Sequence, residues 1–379
     1  MITTHPIQYY APVFRLMSSR GNIQLKVFYT LGDQNTEKYD PGFGKKFAWD
    51  IPLLEGYDYE WVENTATEPG SHHPKGVINP YIVQQISGWE PDAILVYGWA
   101  YKGHLKVMRH FKNRIPVYFR GDSTLLNKRA GLKQLIKNIF LRWVYRHVDH
   151  AFYVGSNNKA YYKKYGLKES QLTFAPHAID NDRFKTDRGE DAARVRSKLN
   201  IPATAILILY AGKFEYVKNL ELLLLAFRSL DAPDAHLLLT GNGPLEEMLK
   251  NLAAENSHIH FMDFQNQTFM PALYQSADIF CLPSRSETWG LSINEAMACG
   301  KAILSSDKVG CAADLVKNSL NGLTFQSDSL EDLTQCLHQL TKDKNKLIKF
   351  GEQSRRIIAD WNFLRIAEAI ENKLLHETL

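Results

Sequence analysis

The sequence predicts an α/β protein with two doubly wound domains. Short apolar runs alternate with helical patterns along its 379 residues, which is typical of parallel sheets covered by helices on both faces. This length is comfortable for two domains. A polar, charged stretch at 177–194 interrupts the alternation, and we interpret it as the hinge between them.

The strands predicted from these runs fall on both sides of the hinge. In the first half they lie at 23–29, 92–96, 115–119, 149–154 and 171–175. In the second half they lie at 205–211, 236–240, 258–262, 278–282, 301–305 and 322–325. The opening MITT is a four-residue strand fragment, shorter than a usual strand. Either the chain starts a few residues late or its first strand is short.

The expected domain boundary falls between residues 178 and 179. We expect residues 1–178 to form an N-terminal domain and residues 179–361 to form a C-terminal domain. The segment 355–375 is helical with a break at Trp361-Asn362. We expect the helix after this break, about 362–379, to return to the first domain.

Composition places the chain among globular proteins of a reducing compartment. It is 45% apolar and 23% charged, and no apolar run approaches the roughly 18–20 residues that span a bilayer. The cysteines Cys281, Cys299, Cys311 and Cys336 lack the spacing of a zinc site. No signal-peptide pattern is present. A cytoplasmic location is therefore expected, with the inner face of the cell membrane as an open alternative.

The two halves of the chain carry opposite charge. Residues 1–178 contain 23 Lys and Arg against 14 Asp and Glu, a net charge of +9. Residues 179–379 contain 22 against 27, a net charge of −5. The basic excess is concentrated at 101–168, with 16 basic and two acidic residues. This asymmetry predicts an anionic partner for the first half.

The stretch SRSETWGLSINEAMACG, residues 284–300, places two glutamates around a predicted helix start. A buried strand at 277–283 ends in proline, and helix signals begin near Gly290. The N–H groups of a helix start bind anions. With Glu287 before the helix and Glu295 inside it, the pattern suits a ligand with hydroxyls on both sides of a phosphate, such as a nucleotide sugar. The alternative is a capping box from Ser292 to Glu295, with Glu287 as ordinary loop charge.

Two further loops at strand ends have the composition of phosphate sites. Gly212, Lys213 and Lys218 follow the strand at 205–211, at the carboxyl edge where α/β sheets bind ligands. The alternative is a pair of solvated lysines. Gly241 and Gly243 follow the next strand and allow close backbone approach, although a plain tight turn would need them as well.

The order and spacing of these motifs resemble the donor-binding domain of the retaining glycosyltransferases of family 4. The resemblance covers roughly 177–340 well and the first half loosely. Glu287-x7-Glu295 matches outright, whereas Lys213 stands where the family has arginine and Ser292 where it often has proline. The resemblance implies the GT-B fold: two facing Rossmann-like domains with a cleft between them.

The resemblance also implies an activity, namely transfer of a hexosyl group from a nucleotide sugar to a glycan or lipid-linked acceptor with retention of configuration. Cell-surface polysaccharide or lipopolysaccharide synthesis is the implied setting. Neither a metal nor another cofactor is expected, and no nucleic-acid partner. A nucleotide-sugar epimerase on the same fold stays an alternative. A dinucleotide-dependent oxidoreductase is another, but its fingerprint needs a third glycine where Glu246 stands.

By the same resemblance, each site residue has an expected role. Glu287 contacts the transferred sugar and Glu295 the nucleotide ribose. The backbone N–H groups of Trp289, Gly290 and Leu291 face the diphosphate, whose charge Lys213 and Lys218 offset. The nucleotide cleft is lined by Gly212, Gly241 and Gly243, with Phe264 at the base. A binding module without catalytic activity is a further alternative. It would be expected to have lost the family's residues in these loops, and Lys213, in place of arginine, is the visible difference from the family.

Polar residues after the first-half strands are candidates for the acceptor side. His5, Gln8 and Tyr9 follow the first strand, and the alternative for them is a turn packed by aromatic rings. Arg120 and Asp122 follow the strand at 115–119, and the alternative for them is a structural ion pair.

The stretch 131–150 contains an apolar stripe at helical spacing. Its members are Leu132, Leu135, Ile136, Ile139, Phe140, Trp143 and Val144. Lys133, Lys137, Arg142 and Arg146 surround it. The sequence favours a helix packed on the core through this stripe, with a helix lying on an anionic membrane surface as the alternative.

Overall fold

A computed structural model describes residues 1–33, 38–40, 45–126 and 131–377. Contacts among these residues divide them into two units. The first takes the described residues within 1–36, 52–177 and 363–379, and the second takes those within 37–51 and 178–362. Each unit contains its own parallel sheet, so the predicted α/β class with two doubly wound domains is confirmed.

Seven strands form the sheet of the first unit. They are β1 (Ile2–Thr3), β2 (Lys26–Tyr29), β5 (Asp58–Trp61), β6 (Ile94–Tyr97), β7 (Val117–Arg120), β8 (His150–Tyr153) and β9 (Leu172–Phe174). Their order is β5-β2-β1-β6-β7-β8-β9, and every neighbouring pair is parallel. The intervening β3 (Lys38–Asp40) and β4 (Lys45–Phe47) form a separate antiparallel pair.

The helices of the first unit follow its strands along the chain. They are α1 (Ala11–Arg20), α2 (Ile82–Gly88), α3 (Lys102–Phe111), α4 (Leu132–Tyr145) and α5 (Ser156–Lys164). A 3-10 turn spans Glu169–Gln171. The last helix of the chain, α15 (Phe363–Glu377), also belongs to this unit. It is held to α1 through Arg20, whose Nε donates to Glu371 at 2.9 Å.

The second unit has a six-stranded parallel sheet. Its strands are β10 (Ile206–Ala211), β11 (Ala235–Thr240), β12 (Ile259–Met262), β13 (Ile279–Leu282), β14 (Ala302–Ser306) and β15 (Gly322–Phe325), in the order β12-β11-β10-β13-β14-β15. Every residue of β10 and β11 is buried, as expected for strands covered by helices on both faces.

Nine helices accompany this sheet in the part of the chain that the structure describes. They are α6 (Asn181–Lys185), α7 (Gly189–Lys198), α8 (Leu220–Arg228), α9 (Glu246–Ala253), α10 (Met270–Ser276), α11 (Leu291–Ala298), α12 (Ala312–Leu315), α13 (Leu330–Thr341) and α14 (Lys344–Ile358). A 3-10 turn spans Tyr216–Lys218 just before α8. The helical break predicted at Trp361-Asn362 lies between α14 and α15.

All eleven predicted strands overlap observed ones. Strand β5 is missing from the prediction because it lies at the sheet edge and reads DYEW, with two exposed and two half-buried residues rather than an apolar run. The structure also groups the described residues within 37–51 with the second unit. The reason is local: Asn266 Nδ2 donates to the Ala48 carbonyl at 2.7 Å, and Asp50 accepts from the Thr268 N–H at 3.2 Å.

Helix α4 departs from the sequence-based expectation. Of the predicted stripe, Val144 is buried and Trp143 half-buried. The other five members are exposed: Leu132, Leu135, Ile136, Ile139 and Phe140. The helix packs on its unit through Leu141, Val144 and Tyr145 instead. Core packing through the whole stripe is therefore wrong, because the helix turns its opposite side to the core.

Candidate functional site

The charged residues predicted to bind the donor follow two adjacent strands, β10 and β13. The order of strands along the chain reverses between these two in the sheet. Such a reversal opens a crevice at the carboxyl ends of the strands, where α/β proteins bind ligands. The loop after β10 carries Lys213 and Lys218, and the loop after β13 carries Glu287. The topology therefore brings these two loops together at one edge of the sheet.

An ion pair joins the two loops. Lys218 Nζ donates to Glu287 Oε2, and both side chains are 19% exposed. Partial burial makes this pair stronger than a surface pair and also makes an unpaired partner costly. Lys213, on the same loop, is half-buried. The structure thus places a lysine and the first glutamate of the Glu-x7-Glu motif in direct contact.

The Lys218 loop is also held by Arg285, which lies two residues before Glu287. The guanidinium stacks on the Tyr216 ring at 4.3 Å, donates to the Tyr216 carbonyl at 3.0 Å and pairs with Asp328 at 2.7 Å. Asp328 also accepts from Asn219 Nδ2 at 3.2 Å. These contacts orient the 3-10 turn that ends in Lys218. No sequence pattern predicts them, because they join segments that are far apart along the chain.

The loop that carries Glu287 is fixed by its backbone. The Glu287 N–H donates to the Lys308 carbonyl at 3.1 Å, and the Glu287 carbonyl accepts from the Gly310 N–H at 3.0 Å. A Cβ at Gly310 would lie 1.8 Å from the Thr288 carbonyl oxygen. The loop after β14 therefore packs directly against the glutamate loop and sets the position of Glu287.

Gly241 and Gly243 bring the loops after β10 and β11 into backbone contact. A Cβ at Gly241 would lie 1.9 Å from the Gly212 carbonyl oxygen, and one at Gly243 would lie 2.7 Å from the Phe214 nitrogen. The Phe214 N–H donates to the Asn242 carbonyl at 2.9 Å. Gly212 itself has a φ of 155°. These glycines are needed for packing between the loops, whatever ligand the loops bind.

The Asn242 side chain connects the loop after β11 to the loop after β12. Its Nδ2 donates to Glu246 at 2.9 Å and to Asp263 at 3.0 Å. Its Oδ1 accepts from the Phe264 N–H at 2.9 Å, and Phe264 is half-buried. Glu246, which stands where a dinucleotide fingerprint needs glycine, also pairs with Lys250 at 2.7 Å.

Helix α11 begins as predicted but is capped differently. Its N-cap is Gly290, with a φ of 97° and no side-chain cap hydrogen bond. Ser292 is the second residue of the helix, so the capping-box interpretation of Ser292 and Glu295 is wrong. A Cβ at Gly290 would lie 2.9 Å from Val309. The Ile293 N–H donates to the Gly290 carbonyl at 2.9 Å, whereas the N–H groups of Leu291 and Ser292 precede any acceptor within the helix, as at every helix start.

Glu295 lies inside the unit, beside Tyr274 of α10. It is 3% exposed, and its Oε2 accepts from the Tyr274 hydroxyl at 2.7 Å. A buried carboxylate requires such donors.

Trp289 is also buried. Its indole N–H donates to Asn294 at 3.0 Å, and its ring packs on the Trp361 ring with 5.3 Å between the ring centroids. The Trp289 side chain is therefore occupied by these contacts, and only its backbone can face a ligand. The sequence-based prediction likewise used only the Trp289 backbone N–H.

Burial also affects Tyr210, at the end of β10. Burial, together with the nearby Glu287 carboxylate, raises the pKa of Tyr210 well above its ordinary value. The phenol therefore stays protonated and donates to the Lys213 carbonyl at 2.8 Å. This hydrogen bond connects the strand to the loop that bears both lysines.

The predicted acceptor-side residues lie in the first unit. His5 and Tyr9 are half-buried, and Gln8 is 8% exposed. The His5 ring nitrogen Nδ1 lies 3.0 Å from Thr4 Oγ1. All three precede α1, in the connection that leaves β1. Their contact with an acceptor stays a prediction.

Arg120 ends β7 and is 2% exposed. Its guanidinium donates to the carbonyls of Ala175 and Pro176, both at 2.7 Å. Together with burial, its charge lowers the pKa of His177 to about 3. Asp122 is half-buried two residues further along. These bonds give Arg120 a structural role in the first unit, and an acceptor contact by Arg120 or Asp122 stays a prediction.

Two observations concern metals and membranes. Within the described ranges, no group of three or more His, Cys, Asp or Glu residues is arranged to hold a metal ion. An Asp-x-Asp triplet often holds a metal that bridges a nucleotide diphosphate, and the expectation of metal independence assumed that the chain has none. One is present, from Asp180 to Asp182. There Asp180 caps α6 by accepting from the Arg183 N–H at 3.0 Å, and Asp182 pairs with Lys185.

The described residues include no helix long and apolar enough to cross a membrane.

Comparison with known families decides what kind of domain surrounds these loops. Residues 191–357 match the family model of the glycosyl transferases group 1. The matched range includes both lysines, the glycine loop and both glutamates. The second unit contains a glycosyl transferases group 1 domain. The recognition of this family from the motifs is thereby confirmed.

Similar proteins extend this result beyond the group 1 domain. A GDP-mannose-dependent monoacylated alpha-(1-6)-phosphatidylinositol monomannoside mannosyltransferase of Corynebacterium glutamicum is 25% identical over 248 residues. The match covers 62% of this chain and 65% of that relative, so the chain spans less than two thirds of the relative's length.

Two solved structures show the fold of the whole chain. Anabaena HepE, in complex with UDP and glucose, has a TM-score of 0.72 at 18% identity, covering 99% of this chain and 98% of its own. WaaG, a glycosyltransferase involved in lipopolysaccharide biosynthesis, has a TM-score of 0.69 at 15% identity, with coverage of 99% and 98%. The chain that carries the group 1 domain has the GT-B fold.

Proposed function

We propose that this protein transfers a hexosyl group from a nucleotide sugar to a glycan or lipid-linked acceptor with retention of configuration. Cell-surface polysaccharide or lipopolysaccharide synthesis on the cytoplasmic side of the membrane is the proposed setting. The observation that carries the proposal is the Lys218–Glu287 pair beside the start of α11. There a cation and a carboxylate stand at the sheet edge where the group 1 domain has its ligand crevice.

The proposed binding mode assigns one part of the donor to each element. The diphosphate lies against Lys213, Lys218 and the N–H groups from Trp289 to Leu291. The sugar contacts Glu287, and the ribose contacts Glu295. The base lies near Phe264, in a cleft bordered by Gly212, Gly241 and Gly243. The names of the similar proteins support this mode, because one uses GDP-mannose and another binds UDP and glucose.

The ion pair supports a specific order of events on binding. In the structure, Glu287 pairs with Lys218 and neutralises its charge. A diphosphate entering the crevice offers Lys218 a stronger anionic partner. When the phosphate replaces the carboxylate, Glu287 becomes available to accept hydrogen bonds from the sugar hydroxyls. A nucleotide diphosphate that carries no hexose has no hexose hydroxyls for Glu287 to accept from, so Glu287 gains no new hydrogen bonds when such a nucleotide binds.

In this proposal, positive charge at the site stabilises the transition state of sugar transfer. As the bond between the sugar and the phosphate breaks, negative charge accumulates on the departing phosphate. Lys213, Lys218 and the start of α11 stabilise that charge without a metal ion. The departing phosphate oxygen accepts the proton of the acceptor hydroxyl on the same face of the sugar. The new glycosidic bond then forms on the face that the phosphate left, so configuration is retained.

A thermal-shift screen tests the donor assignment directly. The full chain is heated with UDP, GDP or ADP, each alone and with its hexose attached. At least one nucleotide sugar should raise the melting temperature through linkage. The same ligand should lose most of its effect on Lys218→Ala but keep it on Lys349→Ala, an exposed lysine of α14. Stabilisation by none of these compounds would refute the proposal.

A further inference from the structure

Helix α4 exposes a row of large apolar side chains. Leu132, Leu135, Ile136, Ile139 and Phe140 are between 40 and 74% exposed. Their spacing of three and four residues places them on one face of the helix. Folded proteins rarely leave a contiguous apolar surface of this kind without a partner.

The opposite side of α4 anchors the helix to its unit. Leu141 is fully buried and lies half a turn around the helix axis from Leu132. Val144 and Tyr145 belong to the same buried cluster. At the rim, the Phe140 ring packs on Trp99 at 5.6 Å. The helix is therefore fixed by one face, so its exposed row is a second, separate apolar face.

Basic side chains flank the exposed row on both sides. At 100° per residue, Lys133 lies at the edge of the row next to Phe140, and Arg142 lies at the edge next to Leu135. Lys137 lies further around the helix beyond Lys133, and Arg146 follows the row just after the helix ends. All four are exposed. The helix Leu132–Tyr145 contains no acidic residue. On the neighbouring α3, the Arg109 guanidinium lies over the Trp143 ring at 5.5 Å and extends the positive surface.

We propose that this surface, called here the α4 face, docks on an anionic lipid membrane. The α4 face consists of the five exposed apolar residues of α4 together with Lys133, Lys137, Arg142 and Arg146. Its apolar row would enter the boundary between headgroups and acyl chains, while its basic edges contact anionic headgroups. The inference rests on the proposed function and deepens it, because a membrane is where a lipid-linked acceptor resides.

Charge complementarity favours a membrane over a second copy of the chain. A twofold contact brings the same patch of two subunits together, so the four basic side chains of each copy would approach those of the other. Like charges at such a contact cost binding energy. An anionic bilayer instead matches both parts of the α4 face, the apolar row and the basic edges.

Vesicle flotation of the full chain tests the proposal. One set of vesicles contains phosphatidylcholine with phosphatidylglycerol, and the other contains phosphatidylcholine alone. The protein should float with the anionic vesicles at low salt, and raising the salt to about 0.5 M should weaken binding by screening. Absence of flotation with the anionic vesicles at low salt would overturn the proposal, and so would equal flotation with both sets.

Matched variants locate the contact. Leu135 and Ile348 are both 56% exposed, on α4 and α14 respectively. Leu135→Glu should lower the vesicle partition coefficient at least about tenfold, as expected for losing one buried leucine, whereas Ile348→Glu should leave it unchanged. Lys137→Ala should lower it about fivefold, and Lys349→Ala should not. Equal binding by Leu135→Glu and the wild type would overturn the proposal.

Two further readouts distinguish membrane docking from self-association and from donor binding. If light scattering shows a dimer that Leu135→Glu dissociates, and the wild type does not float, the α4 face binds a second copy instead. Nucleotide-dependent stabilisation is measured on the same samples. A chain that is stabilised by a nucleotide sugar but never floats loses only the membrane proposal. A chain that floats without responding to any nucleotide loses only the proposed donor site.

Discussion

Lys218 and Glu287 form an ion pair between the loops that end β10 and β13. The two residues are 69 positions apart, and each is 19% exposed. The pair connects the two loops that border the crevice. It also couples the cation proposed to meet the diphosphate to the carboxylate proposed to meet the sugar, which makes their separate contributions measurable.

Glu287→Gln removes the charge that neutralises Lys218. Because the lysine no longer has to exchange a carboxylate for a phosphate, the affinity for free nucleotide diphosphate should stay equal or rise. Turnover should fall by about 10- to 150-fold, the range of one lost charged hydrogen bond of about 1.5–3 kcal/mol. Calorimetric titration and initial rates give the two values. Weaker nucleotide binding by this variant would mean that Glu287 contacts the nucleotide.

Glu295 and Tyr274 should act together on nucleotide binding. Glu295→Gln should weaken binding of the free nucleotide by about 1.5–3 kcal/mol if the carboxylate holds the ribose. Tyr274→Phe removes the donor at 2.7 Å that orients this carboxylate and should give a smaller loss in the same direction. Melting temperatures show whether each variant is folded. Nucleotide affinities equal to that of the wild type for both variants would reduce the pair to a structural contact.

The proposed mechanism makes the lysines essential and metal ions dispensable. Lys218→Ala should lower turnover by roughly 10²-fold or more, the loss typical of one group that stabilises transition-state charge. Lys213→Arg should be tolerated, since it keeps the charge and restores the family's residue. Activity should survive EDTA. Loss of activity in EDTA that a divalent metal restores would refute this mechanism, as would a product with inverted anomeric configuration.

Gly241→Ala should destabilise the protein through backbone packing. The new Cβ would meet the Gly212 carbonyl oxygen at 1.9 Å, at a φ of 138°, so two loops must separate. We expect a loss of about 2–4 kcal/mol in the free energy of unfolding, measured by denaturant unfolding. Gly88→Ala is the control, because its Cβ would find no atom within 4 Å. Similar stability of the two variants would contradict the packing role.

Stability should fall in mild acid because several histidines are buried. Burial lowers the pKa of His104 and of His236 to about 4, and burial with Arg120 lowers that of His177 to about 3. A histidine with a lowered pKa binds its proton more readily in the unfolded chain. It therefore opposes folding as pH falls below its ordinary value near 6.5, and this effect grows until pH reaches the folded pKa.

Each such histidine should reduce the free energy of unfolding by up to about 1.4 kcal/mol per pH unit in this window. Denaturant unfolding from pH 7.5 to 4.5 measures the slope. His177→Gln should have a shallower slope than the wild type, whereas His72→Gln, at an exposed position, should not. Equal slopes for all three proteins would mean that His177 titrates normally.

The sequence by itself determined the parts of this protein that depend on short-range patterns. Apolar runs predicted the strands of both sheets, because a parallel strand covered on both faces must be apolar throughout. The Glu287-x7-Glu295 spacing and the start of α11 near Gly290 were likewise local. The edge strand β5 was not predicted, because its residues are exposed or half-buried and therefore need not be apolar.

Only the tertiary structure decided which residues contact one another. The Lys218–Glu287 pair, the Tyr274 bond to Glu295 and the Arg285 support of the lysine loop all join separate segments. The Glu295 capping box and the core-facing stripe of α4 were wrong for a related reason. A spacing in the sequence defines a face of a helix, but only the neighbouring elements determine whether that face meets the core, a side chain or solvent.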